Sequence, residues 1–416
     1  MKSNGSGAGG LSRRKRLAGK LSLVLFGVLL GLAFAEVTLR VIGYTYPVFY
    51  TTDVDRGYAL KPNMAGWYRK ENDVYVRINS AGLRDREHTK AKPPNTIRIA
   101  VVGDSYAEAL QVPMEKAFWF VMGEKLKECR AFGGRDVEVI NFGVSGYGTA
   151  QELITLREKV WDYSPDVVLL AVTTNNDISD NVRALKKTDE IPYFVLSDNR
   201  LVEDDSFRET KAFRLRSSTL NRIGTWLRDN LRFIQAVNQG HHALKAYIAA
   251  RRAKSAAPQN KDAQNTAGAQ NVPAASEELG VDNVVYRKPN DAVWNEAWRV
   301  TEALIRQMRD EVKSRGAKLV VVTLSNGIQA YPDPAGREAF MRRVGVPDLF
   351  YPDRRIKTFC EQESIPVITL APALQSYAEQ NRVFLHGFGK EIGNGHWNEH
   401  GHLRAGEMIA QELCRW

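Results

Sequence analysis

The chain has 416 residues, of which 44% are hydrophobic and 25% are charged, so it can bury a full core and is neither a disordered nor a fibrous protein. Its formal net charge is +10, but six of these units come from the first 20 residues, which contain no acid. The basic balance is therefore an effect of the N-terminal tail, and it does not indicate a nucleic-acid-binding protein.

An apolar segment follows this basic tail. Residues 21–35 carry no charge and are rich in Leu, Val, Phe, Ala and Gly, a pattern typical of an export signal whose basic flank stays in the cytoplasm. Apolar residues continue to position 43, which favours an uncleaved membrane anchor, whereas Ala33-Phe34-Ala35 fits a signal-peptidase site. We predict a disordered tail at 1–20 and a membrane anchor or signal segment at 21–43, with the body of the chain outside the cytoplasm.

The next part of the chain changes from a connector to a regular α/β pattern. Residues 44–95 are predicted to be an extracytoplasmic connector with a small β element, because residues 74–79 alternate between apolar and polar side chains. Between residues 96 and 182, buried strands alternate with helices, which predicts a parallel sheet with crossover helices. The five predicted strands of the whole chain are residues 97–102, 137–141, 167–172, 318–324 and 366–370.

An insertion interrupts the α/β pattern at residues 183–290. It contains helical stretches such as 220–250, and its residues 253–276 are predicted to be disordered because they are rich in Ala, Gln, Asn and Ser. The α/β pattern resumes at 291–416, where tryptophans form an apolar helical stripe that we expect to face the core. These tryptophans are Trp294 and Trp298.

The three cysteines, Cys129, Cys360 and Cys414, lack any C-x-x-C spacing, which argues against a zinc or iron–sulfur site. In an oxidising compartment they permit one disulfide and one free thiol. Small residues of this kind also pack in cores, and we expect that role for Cys129. No metal and no cofactor are predicted.

Four positions with useful chemistry follow strands or precede the last helix. A Gly-Asp-Ser sequence ending in Ser105 follows the first strand, a glycine-rich turn with Gly146 follows the second, Asn176 follows the third, and His396 lies just before the final helix. Parallel strands end at one edge of a sheet, where ligands bind. A serine nucleophile needs a base and donors for the oxyanion, and these positions can supply an imidazole, a backbone N–H and a side-chain amide.

The order and spacing of these blocks resemble the SGNH (GDSL-like) hydrolase superfamily over residues 97–181 and 389–413. The resemblance implies a flavodoxin-like three-layer α/β sandwich with a parallel sheet of about five strands. It also implies a nucleophile that donates its own N–H to the oxyanion, two further oxyanion donors and a base, which are Ser105, Gly146, Asn176 and His396. The chain looks like a bacterial, membrane-anchored branch of these proteins that is associated with the cell envelope or exopolysaccharide.

One departure from this pattern concerns the triad acid, which normally stands three residues before the histidine. This chain has Gly393 there, and losing the carboxylate leaves the imidazole poorly oriented. Asn394, Glu391 or a backbone carbonyl can orient the ring instead, or the site works as a Ser-His dyad, or it is inactive. We expect His400 to face solvent and His402 to be a packing residue of the last helix. A metal site at these histidines is not expected, since no acidic partner accompanies them as a ligand.

These features predict a serine-dependent acyl-ester hydrolase, and the resemblance implies O-acetyl groups on cell-envelope or exported polysaccharide as its substrate. The alternatives are a polysaccharide O-acetyltransferase supplied by a membrane acyl-donor protein, and a catalytically silent glycan-binding or assembly protein. The expected partners are an acylated carbohydrate, the inner membrane and polysaccharide-assembly proteins, without nucleic acid. The expected location is the bacterial inner membrane, with a cytoplasmic N-terminus and a periplasmic catalytic domain.

Overall fold

The computed structural model describes residues 13–129, 131–198, 200–256 and 283–415. These residues form two compact units. The helical unit contains the described residues up to Val48 and those from Thr219 to Ala256, and the sheet unit contains the described residues from Phe49 to Ser218 and from 283 onward. Each unit is described separately below.

The elements are numbered in chain order. The helices are α1 (Arg13–Val41), α2 (Ser105–Glu108), α3 (Phe118–Glu128), α4 (Thr149–Glu158), α5 (Asn176–Ser179), α6 (Arg183–Lys186), α7 (Lys211–Arg216), α8 (Thr219–Asn230), α9 (Arg232–Ala256), α10 (Ala292–Ser314), α11 (Pro334–Val344), α12 (Tyr351–Gln362), α13 (Ala371–Asn381) and α14 (Glu399–Leu413). The strands are β1 (Tyr50–Asp53), β2 (Gly57–Leu60), β3 (Ala65–Tyr68), β4 (Val74–Arg77), β5 (Thr96–Gly103), β6 (Asp136–Asn141), β7 (Val167–Thr173), β8 (Tyr193–Ser197), β9 (Arg200–Asp204), β10 (Lys318–Leu324) and β11 (Val367–Thr369).

A five-stranded parallel sheet in the order β11-β10-β7-β5-β6 forms the centre of the sheet unit. The predicted strands are confirmed, and their order is that of flavodoxin-like folds, with the winding direction reversing between β5 and β7. Successive side chains of β5 enter opposite cores, with Ile99 and Val101 on one side and Ala100 and Val102 on the other. The carboxyl ends of β5 and β7 therefore meet at the switch point, where this architecture binds ligands.

Helices cover both faces of the sheet and give the predicted three-layer sandwich. One core joins side chains of α4, α10 and α12 to the sheet, and the other joins side chains of α3, α13 and α14. Trp294 and Trp298 of α10 are buried in the first core, which confirms the prediction that they face the sheet. Trp119 of α3 is buried in the second core.

The connector before the sheet is more ordered than predicted. It contains two antiparallel hairpins, β1–β2 and β3–β4, where the sequence predicted one small β element. The strands have four residues each, and only β4 has a clean alternation of buried and exposed side chains, so the other three gave no period-two signal. Residues of both hairpins share a small core with Leu110, Val144 and Tyr147, which belong to the loops after α2 and β6.

The N-terminal helix α1 is long and apolar enough to cross a membrane between Lys15 and Val41. The prediction of a disordered tail at 1–20 is wrong for residues 13–20, which form the first turns of α1. Their Arg, Lys, Leu and Ala residues are strong helix formers, so the helix extends into the basic flank. Residues 1–12 lie outside the described residues.

The predicted insertion contributes to both units. Its β8–β9 hairpin and its helices α6 and α7 belong to the sheet unit, whereas α8 and α9 belong to the helical unit. The prediction of disorder at 253–276 is wrong for residues 253–256, which continue α9 because Ala and Lys favour helix. Residues 257–276 lie outside the described residues.

Cys129 and Cys414 form a disulfide with their Cα atoms 6.2 Å apart, and Cys360 is a buried free thiol. The expectation that Cys129 is a core residue was wrong. The two cysteines are 285 positions apart and terminate helices α3 and α14, which pack side by side, a pairing that their spacing alone did not reveal. One disulfide and one thiol agree with the count that the sequence permitted.

Candidate active site

Ser105 lies in the sharp turn that joins β5 to α2, and it is 7% exposed. The side chain of Asp104 caps α2, because its Oδ1 accepts a hydrogen bond from the backbone N–H of Tyr106 at 3.0 Å. Thr173, at the end of the neighbouring strand β7, donates its hydroxyl to the same oxygen at 3.0 Å. Asp104 therefore bonds to the backbone and fixes the turn that presents Ser105.

Ser105, His396 and Glu71 form a chain of hydrogen bonds. Nε2 of His396 lies 2.7 Å from Oγ of Ser105, and Nδ1 lies 2.8 Å and 2.9 Å from the two carboxylate oxygens of Glu71. A carboxylate only accepts, so Nδ1 carries the proton and Nε2 is free to accept the serine proton. This is the geometry of a nucleophile, a base and an orienting acid.

The electrostatics of the pair agree with this assignment. Burial disfavours the charged imidazole, but the hydrogen bond and the charge of Glu71 outweigh it and raise the pKa of His396 above its ordinary value. Burial also acts on Glu71, yet the bonds and charge of His396 keep the pKa of the carboxyl below its ordinary value. Glu71 is therefore ionised and stabilises the imidazolium that forms when Ser105 loses its proton.

Glu71 belongs to the turn between β3 and β4, and two donors hold it. Tyr68 donates its hydroxyl and Gln111 donates its side-chain amide to Oε1, both at 3.2 Å. Asn72 fixes the turn itself by donating to the backbone carbonyl of Gln111 at 3.0 Å. The connector, in which the sequence predicted no site residue, thus supplies the acid of the site.

The prediction that Asn394 or Glu391 orients the imidazole is corrected by this geometry, since Nδ1 donates to the carboxylate of Glu71. The backbone explains why position 393 holds no acid. Gly393 has φ +92°, which side chains rarely adopt, and an added Cβ would lie 2.8 Å from the ring of Tyr331. An aspartate at the usual position does not fit this loop.

The loop that carries His396 is fixed through the carbonyl of Gly395. The ring of His386 donates to this carbonyl from Nδ1 at 2.8 Å, and Tyr106 donates its hydroxyl to it at 3.1 Å. Burial lowers the pKa of His386 to about 4, so its ring is neutral and its Nε2 accepts from the hydroxyl of Ser325 at 3.0 Å. The base is thus held on both sides, by Glu71 at the ring and by this bond network at the backbone.

Gly146 lies in the turn after β6 with φ +78°. The preceding residue, Ser145, is held by buried Glu108, which accepts hydrogen bonds from the backbone N–H of Ser145 at 2.8 Å and from its hydroxyl. The hydroxyl of Tyr50 also donates to Glu108, and the hydroxyl of Tyr58 donates to the carbonyl of Ser145 at 2.9 Å. The β1–β2 hairpin therefore fixes the backbone on which Gly146 lies.

Asn176 begins α5 after the two-residue turn that follows β7, and its side-chain amide donates to Oδ2 of Asp104 at 3.0 Å. This places a donor beside the turn that holds Ser105. The adjacent Asp177 closes its own turn, because its carboxylate accepts from the backbone N–H of Thr173 at 2.6 Å. The structure thus brings the predicted positions Ser105, His396 and Asn176 to the switch point of the sheet.

The two remaining histidines of the final segment lie where the sequence predicted. His400 is exposed at the start of α14. His402 is buried, stacks on Phe118 and accepts a hydrogen bond from the backbone N–H of that residue at 3.3 Å, and burial lowers its pKa to about 3. Within the described ranges, no group of three His, Cys, Asp or Glu side chains is arranged to hold a metal ion.

The known proteins to which the chain is similar include esterases. It is 32% identical over 81 residues to an arylesterase from Vibrio mimicus, a match that spans 20% of this chain and 38% of that protein. Among solved structures it is similar to the acetyl xylan esterase AlAXEase (13% identity, 76% of this chain and 99% of the other, TM-score 0.37). It is also similar to the acetylxylan esterase Axe2 from Geobacillus stearothermophilus (12% identity, 76% and 94%, TM-score 0.35). No protein-family model matches the chain.

Proposed function

We propose that this chain is a serine-dependent ester hydrolase of the SGNH type that uses Ser105, His396 and Glu71 as its catalytic triad. The observation that carries the proposal is the continuous chain of hydrogen bonds from Oγ of Ser105 through the imidazole to an ionised carboxylate. The arylesterase match supports ester chemistry. The presence of Glu71 removes the main reason to consider the site inactive, which was the missing acid at Gly393.

In the first half of the reaction, Nε2 of His396 takes the proton of Ser105 as Oγ attacks the ester carbonyl. The oxyanion is stabilised by the N–H groups of Ser105 and Gly146 and by the side-chain amide of Asn176. The imidazolium then gives its proton to the leaving alcohol, and Ser105 remains acylated. Glu71 stabilises the imidazolium throughout, without itself taking the proton.

In the second half, His396 deprotonates a water molecule, which attacks the acyl carbon. The carboxylic acid leaves, and the proton returns to Ser105. A sugar hydroxyl that replaces water would give the acyl transfer of the alternative proposal. The proposed acid-base residues are the same for both reactions, so the acceptor decides between them.

We further propose that the substrate is a carbohydrate that carries an ester-linked acyl group, in agreement with the resemblance to envelope-associated proteins. Supporting this substrate, Trp67 and Tyr75 form a cross-strand pair on the outer face of the hairpin that carries Glu71. They are 37% and 48% exposed, and the guanidinium groups of Arg69 and Arg77 flank their rings. Exposed aromatic faces beside cationic donors suit the apolar faces and hydroxyl groups of sugars.

The proposed location is outside the cytoplasm at the inner membrane, with α1 as a single anchor. The apolar length of α1 supports the anchor, and the Cys129–Cys414 disulfide supports an oxidising compartment. The proposed partners are the acylated glycan and polysaccharide-assembly proteins of the membrane, one of which would supply the acyl group in the transferase alternative.

The test is turnover of p-nitrophenyl acetate by the full chain in detergent, with Ser105→Ala and His396→Ala as variants. We expect both variants to lose about 10³-fold or more in kcat, as removal of a nucleophile or base does. The matched control is His400→Ala, because that histidine lies four residues away and is exposed. Turnover that survives in folded Ser105→Ala would contradict the proposed nucleophile.

The substrate class is tested with Trp67→Ala, assayed on acetylated oligosaccharides and on p-nitrophenyl acetate. We expect KM for the oligosaccharide to rise about tenfold while turnover of the small ester stays within about twofold, since the role proposed for Trp67 is a contact with the glycan and not with the reacting ester. An equal effect on both substrates would argue against a sugar contact. Addition of a glycan acceptor to the assay separates hydrolysis from transfer.

A further inference from the structure

The helical unit exposes apolar side chains that the sheet-unit chemistry does not use. On α8, Leu220, Ile223 and Trp226 are 82%, 52% and 61% exposed. Their spacing of three residues places Leu220 and Ile223 on one face of the helix and Trp226 at its border. Within the described part of the chain, these large side chains remain open to the surroundings.

Helix α9 repeats the arrangement over a greater length. Val237, Leu244 and Ile248 are 69%, 57% and 41% exposed, and their spacing of seven and four residues puts them on one line along the helix. We call these six residues of α8 and α9 the apolar face. The two helices also contain seven Lys or Arg residues and one acid, Asp229. Apolar faces on helices rich in Lys and Arg, with a tryptophan at the border of one of them, are typical of helices that lie in a membrane surface.

Hydrogen bonds to α1 fix the position of α8 and α9 within the helical unit. The carboxylate of Glu36 accepts from the backbone N–H of Phe233 at 3.1 Å, and the guanidinium of Arg40 donates to the carbonyl of Asn230 at 2.8 Å. Both contacts join the last two turns of α1 to the point where α8 ends and α9 begins. Gln235 adds a third bond, since its side chain accepts from the backbone N–H of Tyr46 at 2.9 Å.

This contact region coincides with the end of the apolar part of α1. Residues 15–34 of α1 are exposed, and the first covered positions are Ala35 and Glu36. Residues 21–35 provide the uncharged stretch that a bilayer can accept, so the charged pair of Glu36 and Arg40 marks the level at which the helix leaves the hydrocarbon. The junction of α8 and α9 therefore lies at the membrane surface when α1 is inserted.

We propose that α8 and α9 lie in the surface of the bilayer that α1 spans, with the apolar face in the lipid and the basic residues against anionic phospholipid headgroups. This inference rests on the proposed role of α1 as an anchor, and it is independent of the chemistry at Ser105. The contacts favour a bilayer as the occupant, because the helices that carry the apolar face are bonded to α1, which enters the bilayer. The basic residues add attraction to an anionic surface.

The test uses the full chain in nanodiscs that hold one copy, with an environment-sensitive fluorophore on a single introduced cysteine. The native cysteines are bridged or buried and do not compete for the label. The labelled positions are Leu220→Cys and Leu244→Cys on the apolar face, Asn221→Cys as a matched control on the opposite side of α8, and Leu29→Cys on α1. Phospholipids that carry a nitroxide on the acyl chain serve as the quencher.

We expect the labels at positions 220 and 244 to be quenched about twofold more strongly than the label at 221, and phosphatidylglycerol to increase this difference over phosphatidylcholine alone. Quenching at 29 without quenching at 220 and 244 would overturn the inference and leave the anchor intact. If the label at position 220 reports an apolar environment but is not quenched by the lipid nitroxide, a protein covers the apolar face, and this result would also overturn the inference. Absence of quenching at all positions would refute the anchor together with the inference, while p-nitrophenyl acetate turnover in the same discs reports separately on Ser105.

Discussion

Glu71 completes the site from a distance of 325 positions in the sequence. The isosteric change Glu71→Gln removes the charge that stabilises the imidazolium, and its amide can donate to Nδ1 and leave the ring in the wrong tautomer. We expect kcat for p-nitrophenyl acetate to fall by about 10³- to 10⁴-fold, with KM little changed. The matched control is Asp73→Asn, an exposed carboxylate two residues further along the same turn, which should keep wild-type turnover.

The pH dependence of the same variant gives a second readout. His396 must be neutral to accept the proton of Ser105, so activity falls at low pH as the ring is protonated. Glu71 raises the pKa of His396. Without the carboxylate, burial dominates and the pKa decreases, so the acidic limb of the kcat/KM profile of Glu71→Gln should move to lower pH. A limb that stays in place would show that Glu71 does not act on the base.

Glu152 of α4 is a buried carboxyl with no role in the proposed chemistry. Among the residues that the structure describes, neither of its oxygens has a hydrogen-bond partner, and burial together with the charge of Asp104 raises its pKa well above the ordinary value of 4.5. The folded chain therefore keeps a proton that the unfolded chain loses, and the free energy of unfolding decreases as pH rises above that value toward the raised pKa. Glu152→Gln, which stays neutral, should remove this loss.

We expect Glu152→Gln to raise the thermal midpoint by about 3 °C or more at pH 8 and by less at pH 5. Thermal unfolding monitored by circular dichroism at both pH values measures this difference. Glu158→Gln is the control, since Glu158 is exposed on the same helix. An equal gain at both pH values would mean that the proton is not the cause.

At the scale of elements, the β1–β2 hairpin controls the turn that presents the N–H of Gly146. A Cβ at position 146 would lie 2.7 Å from the hydroxyl of Tyr58 but 3.9 Å from the ring carbon that bears it. Gly146→Ala should therefore lower kcat for p-nitrophenyl acetate by about tenfold or more, through the strain of a positive φ and through this clash. Tyr58→Phe removes the clash but also the bond to Ser145.

The double variant separates the two causes. If the hydroxyl of Tyr58 contributes to the defect, Gly146→Ala costs less in the Tyr58→Phe background than in the wild type, and the two changes are not additive. The measurement is kcat for all four proteins, with thermal unfolding to confirm that each is folded. Strict additivity would mean that backbone strain causes the whole loss of kcat. It would contradict a contribution from the contact between Tyr58 and position 146.

At the scale of the whole molecule, the sheet could be predicted and part of the site could not. The strands that became β5 and β7 are apolar runs typical of buried parallel strands, and the residues that follow them are fixed in place by the strand ends. Ser105 and Asn176 were found for that reason, and Gly146 because it lies in the glycine-rich turn after β6. His396 was found because its block precedes the final helix in the order that the superfamily shows.

Glu71 was not found, because its position depends on tertiary packing. It lies in a short turn between strands of four residues, and nothing in the local sequence links that turn to a histidine near the C-terminus. The signal that pointed to it was indirect, namely the absence of an acid at Gly393. A carboxylate elsewhere in the chain was one of the replacements left open, and the hairpin that supplies it packs into the small core around Leu110 and Val144.

The Cys129–Cys414 disulfide gives a prediction for the molecule as a whole, because it joins the ends of α3 and α14 across 285 positions. Bridging so long a loop restricts the unfolded chain, and such bonds contribute about 2–4 kcal/mol. We expect dithiothreitol to lower the thermal midpoint of the wild type, and the double variant Cys129→Ser, Cys414→Ser to have the lowered midpoint without reductant. The double variant is also the control, since dithiothreitol should not change it further. Cys360 stays reduced in both proteins, so a shift of the double variant on reduction would contradict the assigned pairing.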